Sequence, residues 1–141
     1  MTPPPVIFPV VPMGKPRMTQ RDRWKKRPAV TRYHAFKDSL RECLTALPHL
    51  RSVIDSGTVY SLSWTAYLPI PGSWTKRKKA AMAGTLHRQK PDRDNIDKAI
   101  LDALFAEDSG IAAGHLEKRW DDGKGPRLEV TFETITNPIQ S

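Results

Sequence analysis

The stretch KPDRDNIDKAILDALFAEDSG, residues 90–110, combines a helical pattern with a cluster of acidic residues. Apolar residues recur at helical spacing within residues 95–105, which predicts a helix with one inward face. Pro91 disfavours a helical conformation at Lys90, so the chain is expected to enter this helix in an extended conformation. The predicted inward residues are Ile96, Ile100, Ala103 and Leu104.

The start of this helix brings two carboxylates and a lysine together. If residues 92–94 stay extended, Asp92 and Asp94 point to one side, with their Cα atoms about 7 Å apart. Asp94 would then cap a helix that begins at Asn95, and Lys98 would point back towards the pair. Two carboxylates beside a lysine can hold a hard divalent cation through oxygen ligands.

An acidic first turn has a simpler explanation, because carboxylates stabilise the helix dipole and Lys98 could form a surface ion pair. Two observations favour the metal interpretation. Asp92 lies outside the predicted helix, and a second acidic pair, Glu107 and Asp108, follows the helix directly. Carboxylates weaken a phosphate-binding surface unless a metal lies between them and the phosphate. The sequence therefore predicts a metal site inside a basic surface.

The charge of the chain is unevenly distributed. Residues 1–90 carry a net charge of +13 and residues 91–141 a net charge of −5. With a pI near 9.9, this asymmetry favours nucleic-acid binding over a surface whose charges serve only solubility. Trp24 or Trp74 could stack on DNA bases, although packing explains either equally well. The predicted phosphate contacts are Lys15, Arg17, Lys76, Arg77, Lys78 and Lys79, the last four also being compatible with a solvated helix face.

The remaining patterns predict one domain over residues 1–141, in the α/β (α+β) class. Its expected architecture is one mixed sheet of about four strands packed with helices. The predicted strands are residues 6–12, 57–68, 111–120 (weakly) and 127–135. The predicted helices are residues 31–47, ended by Pro48, a short basic helix capped by Ser73 and ended by Gly84, and residues 95–105.

Composition excludes several classes of protein. No apolar run approaches the roughly 20 residues that span a bilayer, and the N-terminus has no signal-peptide pattern, so we expect a cytoplasmic protein without a membrane partner. Cys43, the single cysteine, is expected to be a core thiol. The four histidines lack zinc-ligand spacing. The sequence has no glycine-rich phosphate loop, so we expect no nucleotide cofactor.

The motif KPDRDNIDKAILDAL, followed by EDSGI and later by RLEVTFE, resembles the RusA family of Holliday-junction resolvases, which are common in prophages. That family shows a pattern close to KPDxDNxxKAxxDAL, then an Asp-Asp pair, then a strand with a basic residue near its end. The resemblance covers the C-terminal half and the basic segment SWTKRKKA, and more loosely GKPRMTQ.

The resemblance implies roles for individual residues. Asp92 and Asp94 match the paired metal-binding aspartates, Lys98 the catalytic lysine and Asp108 the second member of the Asp-Asp pair. This chain departs from the pattern with Glu107 in place of the first aspartate and Gly110 in place of glutamine. Lys118 matches the basic residue at the end of the strand and is expected to bind DNA. Asp102 matches the aspartate of the DAL motif and is expected to be a structural helix residue. Asp97 stands at a variable position, where we expect it to stabilise the first helical turn.

The implied reaction is Mg²⁺- or Mn²⁺-dependent hydrolysis of phosphodiesters in four-way or branched DNA, in recombination and repair. A PD-(D/E)xK nuclease would need an acid and a lysine separated by one residue, whereas Asp97–Lys98 and Glu117–Lys118 are adjacent. A non-catalytic DNA- or RNA-binding module would leave the acidic cluster unexplained.

A four-way junction offers two symmetric strands to cut, which predicts a homodimer with two sites. A helix over residues 95–105 carries the chain about 16 Å away from Asp94. Asp108 can return to its own Asp92 and Asp94 only if the helix is short or bent. The spacing therefore favours a site to which the second subunit supplies Asp108.

Overall fold

The computed structural model describes residues 4–17 and 27–135, so that Trp24 lies outside the described residues. Eight elements follow one another along this part of the chain. They are β1 (Val6–Phe8), α1 (Pro28–Thr45), α2 (Pro48–Asp55), β2 (Val59–Leu68), α3 (Lys76–Met82), α4 (Arg93–Leu104), β3 (Leu116–Trp120) and β4 (Arg127–Thr134).

The strands form one mixed sheet in the order β1-β4-β2-β3. β4 pairs antiparallel with both β1 and β2, whereas β2 and β3 run parallel. The crossover from β2 to the parallel strand β3 passes through α3 and α4, as parallel pairing requires a long connection. The predicted single α+β domain with a four-stranded mixed sheet is confirmed.

One face of the sheet packs against α1 and α4 and forms the core. The alternating pattern of β2 buries Leu62, Trp64, Ala66 and Leu68, and that of β4 buries Leu128, Val130 and Phe132. α4 packs against them with five buried residues. These are the predicted inward residues Ile96, Ile100, Ala103 and Leu104, together with Ala99. Because α4 lies on the sheet along this face, its N-terminal end has a fixed place in the fold.

The other face of the sheet is polar, and its acids are neutralised locally. Arg127 donates to both oxygens of Asp122, at 3.0 Å each, and to Glu129 at 2.8 Å, and its guanidinium stacks on the ring of Tyr67. On β3, Arg119 donates to Glu117 at 2.9 Å. Many of the acids in the negative C-terminal half therefore serve this surface.

Several boundaries differ from the sequence prediction, among them the start of β3, which is Leu116 rather than residue 111. Pro48 does not simply stop α1 but begins a second helix, α2, because proline is well suited to the first helical position. The cap of α3 is Thr75 rather than Ser73, and its hydroxyl accepts the Lys78 N–H at 3.2 Å. β1 ends at Phe8, before Pro9. In the described part of the chain, all helices are too short or too polar to cross a membrane.

Candidate functional site

The N-terminal end of α4 carries the acidic pair, and the helix begins two residues earlier than predicted. Asp92, not Asp94, is the N-cap, with φ −68° and ψ 144°, and the helix begins at Arg93. The N–H groups of Asn95 and Ile96 both donate to the Asp92 carbonyl at 3.1 Å, which brings Asp94 into the first turn. The predicted extended conformation of residues 92–94 is therefore wrong. Aspartate is favourable at both positions, so local sequence did not decide between them.

The Asp92 carboxylate lacks the backbone N–H partner that an N-cap side chain usually has. An N-cap aspartate normally accepts a hydrogen bond from the second or third helical N–H. Here the Asp92 side chain makes no such bond. It is exposed, and the described residues offer it no ion pair within 4 Å. This carboxylate is therefore available to a ligand.

Asp94 and Lys98 face each other one turn apart. The Lys98 ammonium lies 3.9 Å from the Asp94 carboxylate, and the two side chains are 61% and 72% exposed. Exposed ion pairs of this kind stabilise a protein by at most about 1 kcal/mol. Asp94 and Lys98 can therefore each leave this contact and bind another partner at little cost in free energy.

The basic residues before Met18 run alongside this end of α4. The Lys15 N–H donates to the Asn95 carbonyl at 2.9 Å, which holds the segment against the helix. A surface cavity of about 450 Å³ opens between Lys15, Arg17 and Lys98. Two of the predicted phosphate contacts thus lie beside the predicted catalytic lysine.

Asp102 joins three parts of the fold. Its carboxylate accepts a hydrogen bond from the Tyr33 hydroxyl at 2.5 Å and lies 3.3 Å from the Lys15 ammonium and 3.7 Å from that of Lys37. Burial raises the pKa of Asp102, but the Tyr33 hydrogen bond and the charge of Lys15 together bring it below its usual value. This geometry agrees with the structural role that the resemblance implied.

Asp97 has a different role from the one predicted. It lies more than one turn inside α4, and its carboxylate accepts the indole N–H of Trp64 at 2.9 Å. Trp64 is only 2% exposed, so its N–H needs a partner inside the protein. Stabilisation of the first helical turn was therefore the wrong interpretation of Asp97, which instead ties α4 to β2.

Lys118 lies close to Asp92, on the face of β3 that carries Leu116 and Trp120. Its ammonium donates to the backbone carbonyls of Gln89 and Pro91. Burial lowers the pKa of Lys118, and the charge of Asp92 opposes that shift. The structure thus places this residue next to the acidic pair although 20 or more residues separate them in sequence.

α3 and the segment after it carry a row of exposed cations. Trp74 packs on Trp120, with ring centroids 4.7 Å apart, and the Lys78 ammonium lies 4.2 Å above the Trp74 ring. Packing therefore accounts for Trp74, and its stacking on DNA bases stays a prediction. Every residue of α3 remains at least partly exposed, including the predicted phosphate contacts Lys76, Arg77, Lys78 and Lys79.

Sequence reasoning missed three further cations. Arg88, Lys90 and Arg93 are exposed and lie between α3 and the first turn of α4, immediately around Asp92. In the described ranges they form no ion pair. These cations are visible in the sequence RQKPDRD. They were not predicted as DNA contacts because the KRKK run dominates the charge pattern and RQKPDRD was interpreted only through its aspartates.

Asp108 lies at the far end of α4. The helix has 12 residues, which corresponds to about 18 Å. The register of β2 gives a second estimate of how far Asp108 lies from Lys118 and the start of α4. The Ala112 N–H, in the loop after Asp108, donates to the Tyr60 carbonyl, whereas Lys118 pairs with Ala66. Six residues of strand separate these points, or about 20 Å. One chain therefore brings together Asp92, Asp94 and Lys98, and within the described residues it forms no cluster of three metal-ligating side chains.

Glu107, one of the two departures from the family pattern, forms a local hydrogen bond. Its carboxylate accepts the Ser109 N–H at 3.0 Å, and this hydrogen bond lowers the pKa of Glu107. The Asp108 carbonyl accepts the Ile111 N–H at 3.0 Å, which closes a turn and leaves the Asp108 side chain exposed.

A comparison with family models found a match over most of the chain. The model described as Endodeoxyribonuclease RusA matches residues 8–133, from the end of β1 almost to the end of β4. The match places the chain among the endodeoxyribonucleases. It belongs to the RusA family, whose members act on Holliday junctions. The predicted resemblance is thereby confirmed, and it extends well beyond the C-terminal half. Neither the curated proteins nor the solved structures contained a match to the chain.

Proposed function

We propose that this protein is a metal-dependent endonuclease that cuts four-way or branched DNA during recombination and repair. One observation carries the proposal: Asp92 occupies an N-cap position without using its carboxylate as a cap. A carboxylate that gives up this stabilising hydrogen bond, amid exposed cations, suits a ligand-binding role better than a structural one.

The donor set fits a hard divalent cation. Asp92 and Asp94 offer exposed carboxylate oxygens, the ligand type that Mg²⁺ and Mn²⁺ prefer. When bound, such an ion supplies an activated water and neutralises negative charge on the phosphate. Two carboxylates from one chain leave room for a third ligand, and Asp108 of a second subunit is the proposed third.

Lys98 has the freedom that a catalytic cation needs. Its contact with Asp94 is long and exposed, so the ammonium can turn to a phosphate when one arrives. There it would stabilise the charge that develops on the phosphate or on the leaving oxygen. The N–H groups at the start of α4 point the same way and add to the attraction for a phosphate.

The cations around the acidic pair would hold the DNA. Arg88, Lys90 and Arg93 are exposed and close to Asp92 in the sequence, and Arg17 lines a cavity together with Asn95 and Lys98. Each phosphate contact releases condensed counterions, so such a surface binds DNA of any sequence. Asp92 and Asp94 lie within this basic surface, so a metal ion bound to them would be close to a bound DNA phosphate.

The decisive experiment is a nicking assay on a synthetic four-way junction, with a linear duplex of the same sequence as the control substrate. We expect junction-specific nicks in Mg²⁺ or Mn²⁺ and their loss in a chelator. Tight junction binding without nicking in either metal would replace this proposal with the non-catalytic binding module.

A further inference from the structure

The segment between α3 and α4 is fastened to β3 before it reaches Asp92. The His87 N–H donates to the Lys118 carbonyl at 3.0 Å, and the Trp120 N–H donates to the Thr85 carbonyl at 2.9 Å. The Gly84 N–H in turn donates to the Trp120 carbonyl at 3.1 Å. Residues 84–87 therefore lie along the outer edge of β3.

Beyond His87 the fastening passes from backbone to side chain. The Lys118 ammonium spans to the carbonyl of Gln89 at 2.5 Å and to that of Pro91 at 2.8 Å. An ammonium has three donors, so two of them are committed to the protein itself. A lysine in this state has little capacity left for a DNA phosphate.

We propose that Lys118 is a positioning residue that fixes the place of Asp92, rather than a DNA contact. The inference rests on the proposed function. The Pro91 carbonyl belongs to the peptide group that carries the Asp92 N–H, so any movement of that carbonyl moves the N-cap. A displacement of about 1 Å at a catalytic group can cost about 100-fold in rate.

The surroundings of Lys118 support a fixed geometry. His87 is buried, and its ring packs on Trp120 with centroids 4.1 Å apart. Burial lowers the pKa of His87, and the charge of Lys118 lowers it further, as expected for two groups held close together. Lys118 thus lies close to the packed rings of His87, on the segment that it holds, and Trp120, on its own strand.

The test compares Lys118→Met with Lys124→Met, which removes an exposed lysine from the turn before β4. The first measurement is hydrogen exchange of the backbone amides of His87, Asn95 and Ile96, which donate hydrogen bonds on either side of the segment that Lys118 holds. We expect exchange at least about 10-fold faster in Lys118→Met and unchanged in Lys124→Met, because only the former loses the two hydrogen bonds to the segment. Unchanged exchange in Lys118→Met would overturn the proposal whether or not the protein cuts DNA.

The second measurement separates binding from turnover on the four-way junction. We expect Lys118→Met to bind within about twofold of wild type, with the same salt dependence, while its single-turnover cleavage falls at least about 10-fold. A DNA contact would give the opposite result: weaker binding, a salt slope flatter by about one unit and a normal rate at saturation.

A third variant covers the possibility that Lys118→Met unfolds. Lys118→Arg keeps a donor-rich cation at the same place and should restore part of the slow exchange and of the cleavage rate. Equal loss in Lys118→Arg and Lys118→Met would contradict a clamp made by hydrogen bonds. Absence of nicking by the wild type would refute the proposed function, whereas the exchange measurement would still decide whether Lys118 holds the segment.

Discussion

Asp92 and Asp108 lie at opposite ends of α4, one at its N-cap and the other four residues beyond its last turn. A straight helix of 12 residues holds its ends about 18 Å apart, far more than two ligands of one ion can span. If both carboxylates serve one reaction, two chains must supply them.

Complementation tests this arrangement. We expect Asp94→Asn and Asp108→Asn to be inactive alone and to recover nicking when they are mixed, unfolded and refolded together. In a shared site, each mixed dimer contains one doubly defective site and one intact site. Random mixing then restores about a quarter of the wild-type sites.

The matched control is a mixture of Asp92→Asn with Asp94→Asn. Both changes lie at the same end of α4, so every site in that mixture keeps a defect and nicking should not return. If the mixture of Asp94→Asn and Asp108→Asn is also inactive, although mixed dimers are shown to be present, the shared site is ruled out.

Asp94→Asn should separate cleavage from binding. The substitution keeps the shape of the side chain but removes a charged ligand, so we expect single-turnover cleavage to be lost. Junction affinity should persist or increase, because removing a negative charge favours phosphate binding. Asp38→Asn, on the exposed side of α1, provides the control. Cleavage by Asp94→Asn at near the wild-type rate would exclude Asp94 from the mechanism.

The salt dependence of junction binding should report the cationic surface. With six or more phosphate contacts, the slope of log K against log salt should be about −5 or steeper. Replacing Arg88, Lys90 and Arg93 with glutamine should flatten it by about 2 to 3 units, and replacing Lys76, Arg77, Lys78 and Lys79 by about 3 to 4 units.

Arg51→Gln is the control for these slopes, since Arg51 lies on α2 in an ion pair with Asp55 at 3.2 Å. It should leave the slope unchanged. A wild-type slope in either multiple variant would show that the corresponding cations are merely solvated.

Asp97 should matter for stability. Asp97→Ala leaves the buried Trp64 N–H without its acceptor, which we expect to lower the free energy of unfolding by about 1–3 kcal/mol in urea titrations. In a Trp64→Phe background the donor is already gone, so the same substitution should have a much smaller effect. Equal losses in both backgrounds would mean that the hydrogen bond from Trp64 does not explain the effect.

Acid should weaken the polar face of the sheet through Asp122. The hydrogen bonds from Arg127 lower the pKa of Asp122 from 3.8 to about 2. A depressed pKa contributes stability above the unfolded value, and this contribution is lost as the pH falls from about 4 to about 2. Urea unfolding over this range should show a shallower decline in Asp122→Asn than in wild type. Asp38→Asn should follow the wild type, and identical profiles for all three would contradict the role of Asp122.

Patterns carried by short-range periodicity were predicted well. The buried face of α4, the alternation of β4 and that of β2 from Leu62 onwards follow from local spacing, and the structure confirms them, whereas β2 is irregular between Val59 and Ser61. The start of α4 was misplaced because aspartate suits both the cap and the first turn. α2 was missed because Pro48 ends one helix and equally well begins another.

Contacts between distant segments could not be predicted from sequence patterns. The bonds from Lys118 to residues 89 and 91 depend on the outer edge of β3 meeting the segment after α3. Likewise, Asp97 finds Trp64 only because α4 crosses β2 in one particular place. Such pairings arise from tertiary packing, and no local spacing encodes them.

The polar sheet face has a consequence for how the protein meets DNA. On that face Arg119 and Arg127 pair with Glu117 and Glu129, whereas the exposed cations near the start of α4, Arg88, Lys90 and Arg93, form no ion pair among the described residues. The uncompensated positive charge therefore lies near the start of α4 rather than on the polar face of the sheet. The negative charge of DNA would orient the protein by electrostatic steering before contact. At low ionic strength, where screening is weak, most encounters would then begin with the start of α4 facing the phosphates.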